Sequence, residues 1–465
     1  MGDVNPEDLK ALALGLQRLL QLADGLREAD DRPPPLIAKV LDHLGCDMGE
    51  VVSVVSKFEA WEHVNVHRAV EAYLAGRTPE PEWFGISGQQ QGSDDLVDML
   101  VSARRQKAFD LGAAEYATAA IGPEESVDVV QLGLTLTRAP DGTPVLVGIR
   151  GYNEYGPPAC RLEVLAGDRS AARATGVEVE RLMREHNALR GQVLAFGVGE
   201  HRGNGLVTFL PRPTLGPDDV VLPDGLLDSI ERHVVGIAEH SEKLLAAGQH
   251  LKRGLLLHGP PGTGKTHTVR YLMSRLEDCT VILVTGPAMR FLSQAAALAR
   301  RLQPSMVVIE DVDLIAMDRD HPRNGSSPLL FALLDTMDGV GADADVTFVL
   351  TTNRADELER ALTDRPGRID LAVEVPRPDA EGRLRLLQLY GRDVDLRADL
   401  APVVEATEGV TASFIKELLR RAVLEALRRN GSSVPVVGDE LLDIARDMTD
   451  QRHALTSALL GGKTG

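Results

Sequence analysis

The stretch that decides the fold runs from Lys252 to Thr266. Lys252-Arg253-Gly254-Leu255-Leu256-Leu257-His258 leads directly into Gly259-Pro260-Pro261-Gly262-Thr263-Gly264-Lys265-Thr266. The first part is an apolar run of the kind that forms a strand buried on both faces of a parallel sheet. The second fits G-x-x-x-x-G-K-[ST], a phosphate-binding loop. Its glycines let the backbone curl until successive N–H groups point at phosphate oxygens. A helix is predicted from Thr266 to about Leu276, and its positive N-terminal end adds to the attraction. Lys265 reaches phosphates as a point charge, and the Thr266 hydroxyl suits Mg²⁺, a hard ion that prefers oxygen. His267, next on the helix, is assigned to nucleotide binding with Gly259 through Thr266.

Working outward, Val281–Thr285 reads as a second buried strand. A third, Met306-Val307-Val308-Ile309, ends in Glu310-Asp311 about 45 residues beyond the loop. Acids at the carboxyl end of such a strand face the ligand crevice. Glu310, with Thr266, is predicted to hold Mg²⁺; Asp311 is predicted to orient or polarise an attacking water. A fourth strand, Val346–Leu350, delivers Thr351-Thr352-Asn353, whose amide can sense a terminal phosphate or place the water. Arg365-Pro366-Gly367-Arg368-Ile369-Asp370 then precedes a fifth strand, Leu371–Val375. Upstream, Asp224 is placed to cap a helix with Leu226, Leu227, Ile230, Val234 and Ile237 on one buried face.

Taken in order, GPPGTGKT, MVVIEDVD, TTN and RPGRID resemble the motifs of the AAA ATPases over about 210 residues, from 220 to 430. The resemblance implies an α/β fold: a five-stranded parallel P-loop NTPase core over 220–376 and a C-terminal helical lid over 377–430. It implies ATP with Mg²⁺, and a homo-oligomeric ring, expected to be a hexamer, with nucleotide between neighbouring subunits. Arg365 and Arg368 match the two arginine-finger positions that act on the neighbour's nucleotide. A guanidinium there stabilises charge spread over the transferring phosphoryl group; an ion pair with Asp364 or Asp370 is the alternative. The lid phrase resembles Gly409-Val410-Thr411-Ala412-Ser413, which puts Ala412 near the adenine and ribose. No arginine stands there, although Lys416 follows one turn later.

The chain also departs from the pattern. The usual order is Asp-Glu where this sequence has Glu310-Asp311, so the catalytic position is one methylene shorter and slow turnover is expected. The Bcs1-type members are similar in having Glu-Asp but carry a transmembrane helix. Gly286-Pro287-Ala288-Met289-Arg290-Phe291-Leu292 lacks the aromatic–hydrophobic–Gly triplet of a client-threading pore. Phe291 is its one aromatic candidate, and helix packing accounts for it as well. Asp338-Gly339-Val340 resembles an inter-subunit Asp-Gly-Phe but lacks the Phe.

The remainder is less legible. Residues 1–78 read as a helical N-terminal domain, with stretches around Leu9–Leu22, Leu36–Leu44, Val51–Phe58 and Val64–Leu74. Pro79, Pro81, Gly85, Gly88 and Gly92 mark 78–94 as a linker. Residues 95–215 read as an α+β module of unknown role. Its runs Val127–Arg138 and Pro144–Arg150 flank Ala139-Pro140-Asp141-Gly142, and Gln192–Val198 and Leu206–Leu210 flank Arg202-Gly203-Asn204-Gly205. Residues 431–465 read as a partly helical tail.

Composition narrows the function. The 465 residues carry 50 Lys and Arg against 69 Asp and Glu, a net charge of −19, which weighs against nucleic acid as a partner. No apolar run approaches the roughly 20 residues of a membrane span, and the N-terminus shows no signal-peptide pattern. Cys46, Cys160 and Cys279, far apart and without CxxC spacing, read as reduced thiols of a cytoplasmic protein. No HExxH is present, which excludes a fused zinc protease of that type. The expectation is an ATP-hydrolysing ring that remodels a protein client. A nucleic-acid loader and a slow ATP-sensing switch stand as alternatives.

Overall fold

A computed structural model describes residues 33–77, 82–88, 95–106, 109–152, 159–197, 207–313, 333, 335–341, 343–354, 369–397, 399–430 and 436–459. The chain divides near residue 188 into two compact units, with residues 120–126 counted in the second.

In the first unit the strands are β1 (Val52–Glu59), β2 (Gly85–Gly88), β3 (Phe109–Gly112), β4 (Glu115–Ala120), β5 (Ser126–Arg138), β6 (Pro144–Arg150) and β7 (Ala159–Ala166). Five of them form a sheet in the order β1-β7-β6-β5-β4. Both faces are covered, as the period of two in β6 requires. Val145, Val147 and Ile149 pack with Val66, Val70 and Val179 of helices His63–Leu74 and Arg169–Glu185. Leu146 packs on the opposite face with Leu36, Val40, Met99 and Leu100 of helices Pro35–Leu44 and Leu96–Gln106.

This unit corrects two expectations. Val51–Phe58 is not helical: β1 runs antiparallel to β7 from Val52↔Ala166 to Glu59↔Ala159. Its valines lose rotamer freedom in a helix and fit a pleated surface. Part of the expected linker is also structured, since Gly85–Gly88 pairs with Phe109–Gly112 and Phe84 bridges to Leu134. The helical block and most of the α+β module are therefore one body. The stretch around Leu9–Leu22 lies outside the described residues.

A pair of histidines holds the main chain of Val130. His63 Nε2 donates to the carbonyl of Val130 on β5 at 2.8 Å. His67, one turn later, accepts the Val130 N–H through Nδ1 at 3.4 Å. Both main-chain groups of Val130 are thereby satisfied, which a buried strand residue requires.

The second unit holds β8 (Val193–Phe196), β9 (Val207–Leu210), β10 (Arg253–His258), β11 (Thr280–Val284), β12 (Ser305–Ile309), β13 (Val346–Thr352) and β14 (Leu371–Glu374). Their order is β14-β10-β13-β12-β11-β8-β9. The expected five parallel strands are present. β8 adds a sixth parallel strand against β11, and β9 returns antiparallel to it. Val193–Phe196 and Val207–Leu210 therefore extend the ATPase sheet instead of belonging with the strands before them. Arg212, just past β9, fastens the addition. Its guanidinium donates to the carbonyls of Met273, Leu276, Cys279 and Gly191 at 2.7 to 3.0 Å. Met273 and Leu276 close helix Lys265–Arg275, so a cation sits at that helix's negative end.

The helix at Leu226–Glu239 is as expected, but Gly225 at φ 74° occupies its cap and Asp224 does not. Helices Ala380–Tyr390, Ala401–Ala406, Ala412–Asn430 and Gly438–Leu459 build the lid. Its core joins Leu386, Val403, Ile415 and Leu418 with Leu441 and Ala445. The predicted tail is thus a lid helix as far as residue 459. Among the described residues, no helix is long and apolar enough to cross a membrane.

Candidate active site

The phosphate loop leaves β10 at His258 and enters its helix at Lys265. Gly259, Gly262 and Gly264 have φ values of 138°, 79° and 115°, which L side chains rarely adopt. At two of them space is also closed. A Cβ on Gly259 would lie 2.3 Å from the Val375 carbonyl, and one on Gly262 would lie 3.0 Å from Ser413 Oγ. Thr263 Oγ1 donates to the Pro260 carbonyl at 3.0 Å, holding the curl. The lid closes on the same loop, where Ser413 N–H donates to the Gly262 carbonyl at 3.1 Å.

Lys265 is 6% exposed. Its ammonium donates to the carbonyls of Gly259 (2.8 Å) and Pro260 (3.0 Å) and to Asn353 Oδ1 (2.8 Å). Burial pushes its pKa below the ordinary lysine value, while the carboxylates of Asp311 and Asp313 pull it back up. Asn353 Nδ2 donates in turn to Asp311 Oδ1 at 3.2 Å. A cation, an amide and a carboxylate from three separate strand ends thus form one chain. Asp311 takes φ 51°, the one described non-glycine residue at positive φ. Asp tolerates this conformation better than most residues. Its N–H is held by Thr351 Oγ1 at 3.1 Å.

The other predicted residues are placed as follows. Thr266 and Glu310 line one cleft of about 280 Å³, together with Leu283 and Arg270. The rest of that lining is mostly apolar, with Val193, Leu210, Val269 and Met273 beside Thr266 and Glu310. Ala412 lines a different cleft of about 190 Å³, with Thr263 of the loop, Val221, Leu222 and Pro378. Its walls combine these apolar residues with Asp224, Asp379, Glu381 and Arg385. The sequence reading missed Val221, Leu222 and Pro378, for which no local motif exists. His267 does not point to the loop: its Nε2 donates to the Asp219 carbonyl at 2.8 Å. Arg365 and Arg368 lie outside the described residues. Phe291 packs against Phe196 of β8, ring centroids 6.4 Å apart, so packing accounts for it. Among the described residues, no cluster of His, Cys, Asp and Glu could hold a metal by itself.

Comparison with known proteins agrees with this geometry. The family model "ATPase family associated with various cellular activities (AAA)" matches residues 255–377. The chain is 32% identical over 232 residues to the proteasome-activating nucleotidase of Methanocaldococcus jannaschii, covering 47% of this chain and 54% of that one. It is 30% identical over 269 residues to the ATP-dependent zinc metalloprotease FtsH 1 of Thermomicrobium roseum, covering 54% and 40%. It is 30% identical over 233 residues to the 26S proteasome regulatory subunit 8 homolog of Schizosaccharomyces pombe, covering 44% and 57%. The chain thus spans about half the length of these curated relatives. The matched segment, residues 255–377, holds most of the glycine loop's strand, the acidic strand end and Asn353, so this part of the chain is similar to the AAA ATPases.

Proposed function

We propose that this chain hydrolyses ATP as a homo-oligomeric ring, expected to be a hexamer, and uses the cycle to remodel a protein client. The observation that carries the hydrolytic part is the chain Lys265–Asn353–Asp311 at the mouth of the glycine loop. The loop amides and Lys265 bind the triphosphate and offset its charge. Mg²⁺, held by Thr266 and Glu310, supplies further charge neutralisation when bound. Asp311, fixed by Asn353, orients a water and accepts its proton. Val221, Leu222 and Ala412 seat the base. Arg365 and Arg368 act on the neighbour's nucleotide.

The protein client rests on the relatives, two of which are named for the proteasome and one as a protease. No HExxH occurs in this sequence. The first unit, with no motif of its own, is the part proposed to select the client.

The test is phosphate release by purified protein with ATP and Mg²⁺, alongside Lys265→Ala as the inactive control. Mixing Arg368→Ala with Lys265→Ala then decides the ring. Each variant alone is inactive. Mixed assemblies recover turnover where a Lys265→Ala subunit lends its arginine to an intact loop. No recovery, or wild-type turnover by a monomer, rules out the shared site. Co-purification of nucleic acid with an Asp311→Asn trap would favour a loader instead.

A further inference from the structure

We infer that Asp313, the last residue of MVVIEDVD and given no role above, is a positioning residue that sets the place of Asn353 in the ATPase site. The inference rests on the hydrolytic reading just proposed and extends it to a residue that touches no nucleotide.

Asp313 is buried, with 6% exposure. Two donors converge on its Oδ1: the Thr352 hydroxyl at 3.1 Å and the Asn353 backbone N–H at 3.2 Å. The Thr352 hydroxyl in turn accepts the Arg354 N–H at 3.0 Å. Asp313 thus ties three consecutive residues at the end of β13. The tie completes a seam begun two residues earlier. Asp311 N–H meets Thr351 Oγ1, and Val312 N–H meets the Thr351 carbonyl at 2.9 Å. Along this seam 311–313 is fastened to 351–354, so the strand end carrying Asp311 and the one carrying Asn353 move together.

The consequence follows from where Asn353 stands. Its side chain hydrogen-bonds both Lys265 and Asp311. Its direction depends on the backbone at 353, and that backbone is held by Asp313. A misplacement of about 1 Å at a catalytic group costs about 100-fold in rate. For positioning, one acceptor oxygen suffices, because both donors use Oδ1, while the Asp313 charge acts separately on Lys265. Asn can therefore substitute, and Ala cannot.

The experiment compares Asp313→Ala, Asp313→Asn, Asn353→Ala and the double variant Asp313→Ala/Asn353→Ala. Three readouts are taken: kcat, affinity for a fluorescent ATP analogue, and hydrogen exchange of the peptide spanning 352–354. Asp313→Ala is expected to lower kcat about 10- to 100-fold while analogue affinity stays within about 3-fold. Asp313→Asn is expected to stay within about 5-fold of wild type. In the Asn353→Ala background the Asp313→Ala change should cost less than about 2-fold, since its target is gone. Exchange at 352–354 should accelerate in Asp313→Ala and not in Asp313→Asn, whether or not ATP is split. The inference is overturned by unaltered exchange in Asp313→Ala, by a full additive loss in the double variant, or by Asp313→Asn behaving like Asp313→Ala. If Asp313→Ala does not fold, Thr352→Val, which removes one of the two donors, runs through the same cycle. Failure of wild type to hydrolyse ATP would sink the hydrolytic proposal, while the exchange data would still decide the role of Asp313.

Discussion

The ammonium of Lys265 lies 2.8 Å from Oδ1 of Asn353, residues 88 positions apart in the chain. The lysine proposed to meet phosphate and the amide proposed to sense it are in direct contact, so the loop and the far end of β13 are tied together.

That contact separates two variants. Lys265→Ala removes the charge that meets the phosphates and should abolish detectable binding of a fluorescent ATP analogue. Asn353→Ala leaves the loop glycines and Lys265 in place. It should bind the analogue within about 5-fold of wild type yet lose about 10- to 100-fold in kcat, as expected for a group that acts on the water and on Asp311. A titration followed by phosphate release on the same samples checks both.

Asp311 carries a second expectation. Asn accepts left-handed backbone about as well as Asp, so Asp311→Asn should keep the wild-type urea midpoint while hydrolysis falls at least about 100-fold. Glu is the residue usual in the family but is less at ease at φ 51°. Asp311→Glu should therefore lower the urea midpoint and fail to raise kcat. A faster Asp311→Glu enzyme would show that side-chain length, not backbone conformation, limits the site.

Arg212 makes a structural prediction. Replacing it by Leu leaves four main-chain carbonyls without their cation, all at the junction of β8, β11 and helix Lys265–Arg275. Unfolding of the second unit should become easier by about 3 kcal/mol. Lys, a compact cation without the planar fork, should recover less than half of that. Urea denaturation of the three proteins measures it.

The first unit should be acid-sensitive through His63 and His67. Burial pushes both imidazoles below the ordinary histidine pKa, and His67 Nδ1 must be unprotonated to accept the Val130 N–H. The unfolded chain takes up protons as pH falls through about 6.5 while the folded unit resists, so stability is present above that pH and declines below it. Hydrogen exchange at β5 compared at pH 7.5 and 5.5 should show the loss. Changing both histidines to Gln should remove most of the pH dependence.

Much of the second unit could be read from the chain, because its signals are local. The glycines of 259–264, the apolar strands and the acids at 310–311 each occupy a few consecutive residues whose chemistry does not depend on distant partners. The first unit resisted for the converse reason. β1 finds its partner β7 more than 100 residues away, and its valines read equally as one face of a helix until that partner is known. His267, assigned to nucleotide binding from its place next to the loop in sequence, hydrogen-bonds the Asp219 carbonyl, a partner that only the fold reveals.

The sequence by itself determined the strand–loop–helix of the glycine loop, the chemical types at its proposed catalytic positions and the resemblance to the AAA ATPases. These depend on backbone freedom at glycine and on side-chain functional groups, both fixed by residue identity. Only the tertiary structure decided which of these groups touch. Lys265, Asp311, Asp313 and Asn353 meet because parallel strand order brings three carboxyl ends side by side, and strand order is settled by burial of distant surfaces against one another. The same burial decided that the hairpin of β8 and β9 extends the ATPase sheet, where Arg212 holds it.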